Sequence, residues 1–150
     1  MSFLLDTNVV SELRRGDAAN PGVIKWFDDQ SPRELFLSAI TVGEIRQGIE
    51  QLRARDARQS MFLDRWLKGL VEFYEDRLLY VDGDVAEEWG RMRARRGAPV
   101  VDALIAATAR VHDLTIVTRN MRDFRVLGVR VLNPWLVSAS PAPRATTGRR

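Results

Sequence analysis

The sequence predicts an α/β fold with a mostly parallel central sheet of about five short strands flanked by helices. Two observations carry this expectation. Short apolar runs at Phe3–Leu5, Leu35–Ser38, Leu78–Val81, Leu114–Val117 and Val129–Leu132 alternate with stretches whose apolar residues recur at helical spacing. The first two runs end abruptly in acidic or small polar residues, and in open α/β sheets ligands sit beyond the carboxyl ends of the strands. A chain of 150 residues suits one domain with a sizeable core.

The elements follow in order. After the first strand, Thr7 to Leu13 can form a short helix closed by Arg14-Arg15-Gly16. Asn20-Pro21 reads as an N-cap followed by proline at the first helical position, opening a helix to about Asp29 that buries Val23, Ile24 and Phe27. Ser31 to Glu34 is a turn before the second strand. A long helix opens at Ile40 or Thr41 and carries Val42, Ile45, Ile49 and Leu52 on one stripe. Arg53 to Arg58 is a charged break or a continuation, and Met61, Leu63, Trp66, Leu67, Leu70, Val71 and Tyr74 mark the next helix. Asp82 or Asp84 caps a helix with Val85, Trp89 and Met92, which ends in the basic run Arg91 to Arg96 before Gly97. Pro99 to Val111 is the most apolar helix of all, and Asn120 to Phe124 is a single turn. The folded domain is expected over residues 1–136. The stretch 137–150, rich in Ser, Ala, Pro, Thr and Arg, is expected to be a disordered tail.

Composition excludes several chemistries. With no cysteine there is no disulfide framework, zinc-thiolate site or thiol nucleophile. The single histidine, His112, rules out a multi-histidine metal site. No apolar run approaches the roughly 20 residues that span a bilayer, and the apolar start is too short for a signal peptide. A reducing cytoplasm is the expected location. The net charge of +3 resides in the tail, where Arg144, Arg149 and Arg150 face no acid, and the body is neutral. All basic residues except Lys25 and Lys68 are arginines, which grip phosphate or carboxylate in a fork geometry.

Four acids stand out: Asp6, Glu44, Asp102 and Asp123. Each has a plain structural alternative. Asp6 can cap the helix that follows it. Thr41-Val42-Gly43-Glu44 and Asn120-Met121-Arg122-Asp123 both match a capping box. Against that, Glu44 lies beside an apolar stripe, with Gly48 leaving space one turn on. Asp102 is the least comfortable. It sits in the first turn of a helix that is apolar on nearly every side. The helix N-terminus favours an anion by roughly 0.3–1 kcal/mol, whereas burying an ion costs several kcal/mol. A divalent cation would close that gap. Acids gathered on one sheet edge, with no His or Cys, select Mg²⁺ or Mn²⁺ over zinc. Such a site polarises phosphoryl oxygens and activates water. Thr7, Asn8, Thr118 and Asn120 are placed to hydrogen-bond the acids.

The segments Leu4-Leu5-Asp6-Thr7-Asn8, Thr41-Val42-Gly43-Glu44-Ile45, Val101-Asp102-Ala103-Leu104-Ile105-Ala106 and Thr118-Arg119-Asn120-Met121-Arg122-Asp123-Phe124 together resemble the ordered signature of PIN-domain ribonucleases. More narrowly, they resemble the VapC/FitB-type toxins of bacterial toxin–antitoxin pairs. The resemblance spans residues 2 to 135. It implies a three-layer α/β/α PIN-like domain and a Mg²⁺-dependent endoribonuclease, with Mn²⁺ as the other candidate ion. It also implies RNA as substrate, a protein antitoxin that blocks the site, and a homodimer. Carried over, Asp6 and Asp102 are the main metal ligands, Glu44 completes the acidic site, and Asp123 and Asn120 compete for the fourth position.

Arg93, Arg95 and Arg96, together with Arg119 and Arg122, are either a solvated surface or a clamp for the RNA backbone. Two rival functions remain. One is a non-catalytic RNA- or protein-binding module on the same fold. The other is a metal-dependent phosphatase of the haloacid-dehalogenase type, whose chemistry wants a second acid where this chain has Asn8.

Overall fold

The computed structural model describes residues 1–139, apart from the side chain of Arg96. Among these residues five strands form one sheet: β1 (Phe3–Leu5), β2 (Leu35–Ser38), β3 (Leu78–Leu79), β4 (Thr115–Val117) and β5 (Val131–Leu132), in the order β3-β2-β1-β4-β5. Every pairing is parallel, so the sheet is wholly rather than mostly parallel. Seven α-helices pack around it: α1 (Thr7–Leu13), α2 (Pro21–Asp28), α3 (Ala39–Arg53), α4 (Ala57–Phe73), α5 (Gly83–Arg96), α6 (Val100–Val111) and α7 (Met121–Arg125). None of the described helices is long and apolar enough to cross a membrane.

Strand alternation splits the core in two. Phe3 and Leu5 of β1 face a cluster built with Val9, Val23, Trp26, Ile45, Leu63 and Leu67 from α1 to α4. Leu4 points the other way, to Val85, Met92, Ile105, Ile116 and Phe124 on α5, α6, β4 and α7. β1 is therefore buried on both faces, as its unbroken apolar run requires. Three layers result, with β1 at the centre of the middle one.

Several sequence expectations are corrected. On α2 the buried stripe is Val23 with Trp26, and Ile24 and Phe27 are only half-buried, because Trp26 turns in to meet Phe3 edge-on at 5.1 Å. Strand β3 stops at Leu79, and Tyr80 and Val81 are exposed. The fourth and fifth strands begin later than expected, at Thr115 and Val131. The charged stretch after Arg53 is a true break, since Asp56 caps α4 through the Gln59 N–H. Asp82, not Asp84, caps α5. α3 opens at Ala39 under the cap of Ser38, so Thr41 lies inside the helix with its hydroxyl buried and unpartnered. The Thr41–Glu44 capping box does not form.

Two glycines are placed by geometry. Gly97 ends α5 with φ of 51°, the left-handed conformation that lets the chain reverse into α6. Gly22 lies under the backbone of the segment after β5, where an added Cβ would collide with the Val137 carbonyl and stand 2.9 Å from that of Pro134. Val137, assigned to the tail from sequence, packs against the core. The expected tail from residue 140 onward lies outside the described residues. Gly22→Ala should therefore destabilise by about 1–3 kcal/mol, the usual cost of overpacking, seen as a melting temperature lowered by several degrees. An unchanged melting temperature would mean that this segment moves aside freely.

Candidate active site

Asp6 is the residue immediately beyond β1 and is only 8% exposed. Its backbone N–H completes the sheet by donating to the Val117 carbonyl at 3.0 Å, which fixes the carboxyl at the edge where the strands end. Oδ1 accepts from the Thr7 N–H at 2.9 Å, the capping bond of α1. Oδ2 accepts from the Thr118 hydroxyl at 2.8 Å and from Asn8 Nδ2 at 3.3 Å. Asn8 also donates to Thr118 Oγ1 at 3.2 Å, and its own Oδ1 receives the Arg119 N–H at 3.2 Å. The end of β1, the start of α1 and the loop after β4 thus form one hydrogen-bonded unit.

Glu44 arrives from α3. The cap at Ser38 sets the helix phase, and Thr7 Oγ1 donates to Glu44 Oε1 at 2.7 Å. Asp102 occupies the third position of α6 and is half-buried. Because α6 feeds β4 through a short turn, its N-terminus returns to the edge where the strands end. Asp123 sits on α7, exposed, and accepts from Asn120 Nδ2 at 2.7 Å. The Asn120 side chain does not cap α7, so the second capping box is absent too, although the two residues do bond each other. The Asn120 N–H donates instead to Thr118 Oγ1 at 2.9 Å. Each of Thr7, Asn8, Thr118 and Asn120 therefore donates a side-chain hydrogen bond to an acid.

The electrostatics tie the acids together. Burial pushes the Asp6 carboxyl above the usual carboxylate range; bonds from Thr118 and Thr7 pull against this, and the Glu44 charge adds to it. Asp102 is also raised, first by burial, then by the charges of Asp6 and Asp123. Asp102 therefore feels the charges of both Asp6 and Asp123. Among the described residues none of the four acids forms a salt bridge, whereas Glu12, Glu50, Asp64 and Glu88 all do. Also among the described residues, no three acids already stand at metal-ligand spacing. The group is an anionic patch that no basic side chain neutralises among the described residues.

The arginines divide. Arg93 donates to the Ala98 carbonyl and lies over Trp89 at 5.8 Å, so it is spent on the turn that launches α6. Arg91 pairs with Glu87 and Glu88. Arg95 and Arg122 are exposed, and the Arg96 side chain lies outside the described residues. Arg119 is exposed and lies over the Trp135 ring at 5.3 Å. Sequence reasoning missed Ser38 as the residue that phases Glu44. The signal was present in the small polar ending of the second apolar run.

Comparison with known proteins agrees with this architecture. The family model described as PIN domain matches residues 3–129. The chain belongs to the PIN-domain family. Among relatives of this PIN domain, a plasmid stability protein StbB from Pseudomonas syringae pv. tomato is 36% identical, over 89% of this chain and 98% of its own. The toxin FitB of Neisseria gonorrhoeae is 34% identical over the same shares. The solved structure of FitAcB from Neisseria gonorrhoeae superposes with a TM-score of 0.81 at 35% identity, covering 90% of this chain and 99% of that one. The PIN domain described here is thus of the VapC/FitB toxin type.

The chemistry of this PIN-domain site suits a hard divalent cation. Its donors are carboxylate oxygens alone, they converge without a neutralising arginine or lysine, and burial and mutual repulsion have raised two of them. Asp6 and Asp102 would be its main ligands, with Glu44 and Asp123 as the further acids of the site.

Proposed function

We propose that this chain is the toxin of a toxin–antitoxin pair and acts as a Mg²⁺- or Mn²⁺-dependent endoribonuclease that hydrolyses RNA phosphodiester bonds. One observation carries the reading. Asp6 and Asp102, far apart in the sequence, come to one sheet edge, where the Asp6 charge helps to raise Asp102 and neither is paired with a basic side chain among the described residues. Relatives support the reaction class: a protein 34% identical from Sinorhizobium fredii is named a VapC ribonuclease. Support for the partner comes from a solved complex titled as FitAB bound to a DNA fragment, which the chain matches at 33% identity with a TM-score of 0.81.

A bound divalent cation supplies positive charge against the phosphoryl oxygens and makes water easier to deprotonate. The protein does the rest. Thr118 and Asn8 hold Asp6 Oδ2 in one orientation, so its ligand direction is set before substrate arrives. Thr7 aims Glu44 into the site, where it orients the attacking water and takes up its proton. Asp123, steadied by Asn120, serves as the outer acid. The antitoxin blocks this edge in trans, and the active form is a homodimer.

Cleavage of a fluorogenic single-stranded RNA is expected to need added Mg²⁺ or Mn²⁺ and to fall to background with excess EDTA. Full activity in EDTA would overturn the reading. Addition of the purified antitoxin should silence the reaction.

A further inference from the structure

Arg119 stands between Thr118, which bonds Asp6, and Asn120, which bonds Asp123, yet among the described residues it pairs with none of the four acids. Its backbone N–H is tied to Asn8, the residue that also grips Asp6. Its guanidinium instead lies over the indole of Trp135 at 5.3 Å. Trp135 is held in turn by the Asn133 side chain at 2.9 Å and by packing against the core on the α1–α4 side of the sheet. Of the other stacked arginines, Arg14, over Trp66 at 5.7 Å, likewise has no acceptor among the described residues, whereas two use their donors on the protein itself. Arg77, over Phe73 and Tyr74, donates to the carbonyls of Pro32, Leu35 and Phe73. Arg93, over Trp89, donates to that of Ala98. Among the described residues the Arg119 guanidinium has no such acceptor and no carboxylate. Stacking covers the face of a guanidinium and leaves its in-plane N–H donors pointing outward, the arrangement that grips a phosphate bidentately.

The geometry points to Arg119, braced on Trp135, as the phosphate-holding residue for a nucleotide flanking the scissile bond. The inference rests on the ribonuclease reading above for the identity of the polyanion. It also gives the bound strand a direction. Asp102 and Asp123 lie on the α6–α7 side of Asp6, and Trp135 lies on the α1–α4 side, so the strand crosses the sheet edge from one to the other. Arg119 contacts substrate away from the reacting atoms, so its loss weakens binding and leaves the hydrolytic step largely intact.

The test uses a short, labelled single-stranded RNA in EDTA, where the proposed hydrolysis cannot run, with binding followed by fluorescence anisotropy over a range of salt. The wild-type chain should bind it, with a salt slope set by the phosphates it contacts. Arg119→Ala should weaken binding several-fold and flatten the slope by about 0.7, the value for one phosphate of a single strand. With Mg²⁺ or Mn²⁺ added, the same variant should raise KM with kcat nearly unchanged. Arg119→Lys should keep the slope but recover only part of the affinity, because a point charge lacks the fork. Arg119 is exposed, so the melting temperature should not move. Wild-type affinity and slope in Arg119→Ala would overturn the inference while the nuclease reading stands. Full affinity in Arg119→Lys would overturn the bidentate grip. A wild-type chain that binds RNA through Arg119 but cuts none with any divalent ion would overturn the nuclease reading and support the phosphate site.

Discussion

Asp102→Asn is expected to lower RNA cleavage by about a thousandfold or more, roughly 4 kcal/mol of transition-state stabilisation, while raising the melting temperature of the metal-free protein. The two effects have one cause. The Asp6 and Asp102 carboxyls are both raised, by burial and by like charges nearby. A raised carboxyl is one whose proton the folded state holds more tightly than the unfolded chain does. The stability linked to it is complete below the ordinary value of 3.8 and is lost as pH climbs through the folded value. The metal-free protein carries that loss as pH rises. Asn at position 102 removes a charge and its repulsion, so the apo fold gains. It also removes a ligand, so added Mg²⁺ or Mn²⁺, which should stabilise the wild type, should leave the variant unmoved. Asp6→Asn should be equally inactive but less favourable to the fold, because Asp6 also accepts from Thr7 and Thr118. Thermal melts at several pH values, with and without metal, read both effects. Wild-type activity in a folded Asp102→Asn protein would end the metal-site interpretation.

Phe124→Ala should cost about 3–5 kcal/mol, the range for truncating a buried aromatic side chain. That is a large part of the 5–15 kcal/mol that holds a typical domain together. Phe124 is fully buried and is the only buried residue of α7, a five-residue helix. It joins Leu4, Ile105 and Ile116 in the second core cluster. The same short helix presents Asp123 to the site, so the substitution should lower activity even at temperatures where the protein remains folded. Asp123→Asn, next to it and exposed, should leave the urea midpoint almost unchanged. Equilibrium urea unfolding separates the two. A loss below about 1 kcal/mol for Phe124→Ala would mean that α7 is not anchored by this ring.

Much of this could be read from the chain itself. The strands are short apolar runs next to residues that cap helices, and Asp6, Asn20 and Asp82 do cap as local chemistry requires. What failed was also local. Thr41-Val42-Gly43-Glu44 has the composition of a capping box, but β2 ends at Ser38 and the earlier serine takes the cap. Glu44 is then committed to Thr7, 37 residues away, which no local pattern reports. Trp26 displaces Ile24 and Phe27 from the core because of one ring on β1. Arg93 could be seen as a basic residue near Asp102, yet its donor is spent on Ala98, a contact decided by the left-handed turn at Gly97. Asp6, Glu44 and Asp123 drew notice because they come soon after strands, and Asp102 because its helix is so apolar; their hydrogen-bond partners were not legible, because the sheet brings several of those in from distant segments.

The bond between Thr118 and Asp6 spans 112 residues of sequence. Its consequence concerns the order of synthesis. Asp6 leaves the ribosome well before Asp102, Thr118 and Asp123 do. At roughly 5–20 residues per second, the nascent chain spends many seconds with β1 lacking its β4 partner and Asp6 lacking its orienting hydroxyl. A cell translating this protein therefore cannot bring the four acids together until β4 and α7 have emerged. A truncated product that stops before Thr118 has no site at all.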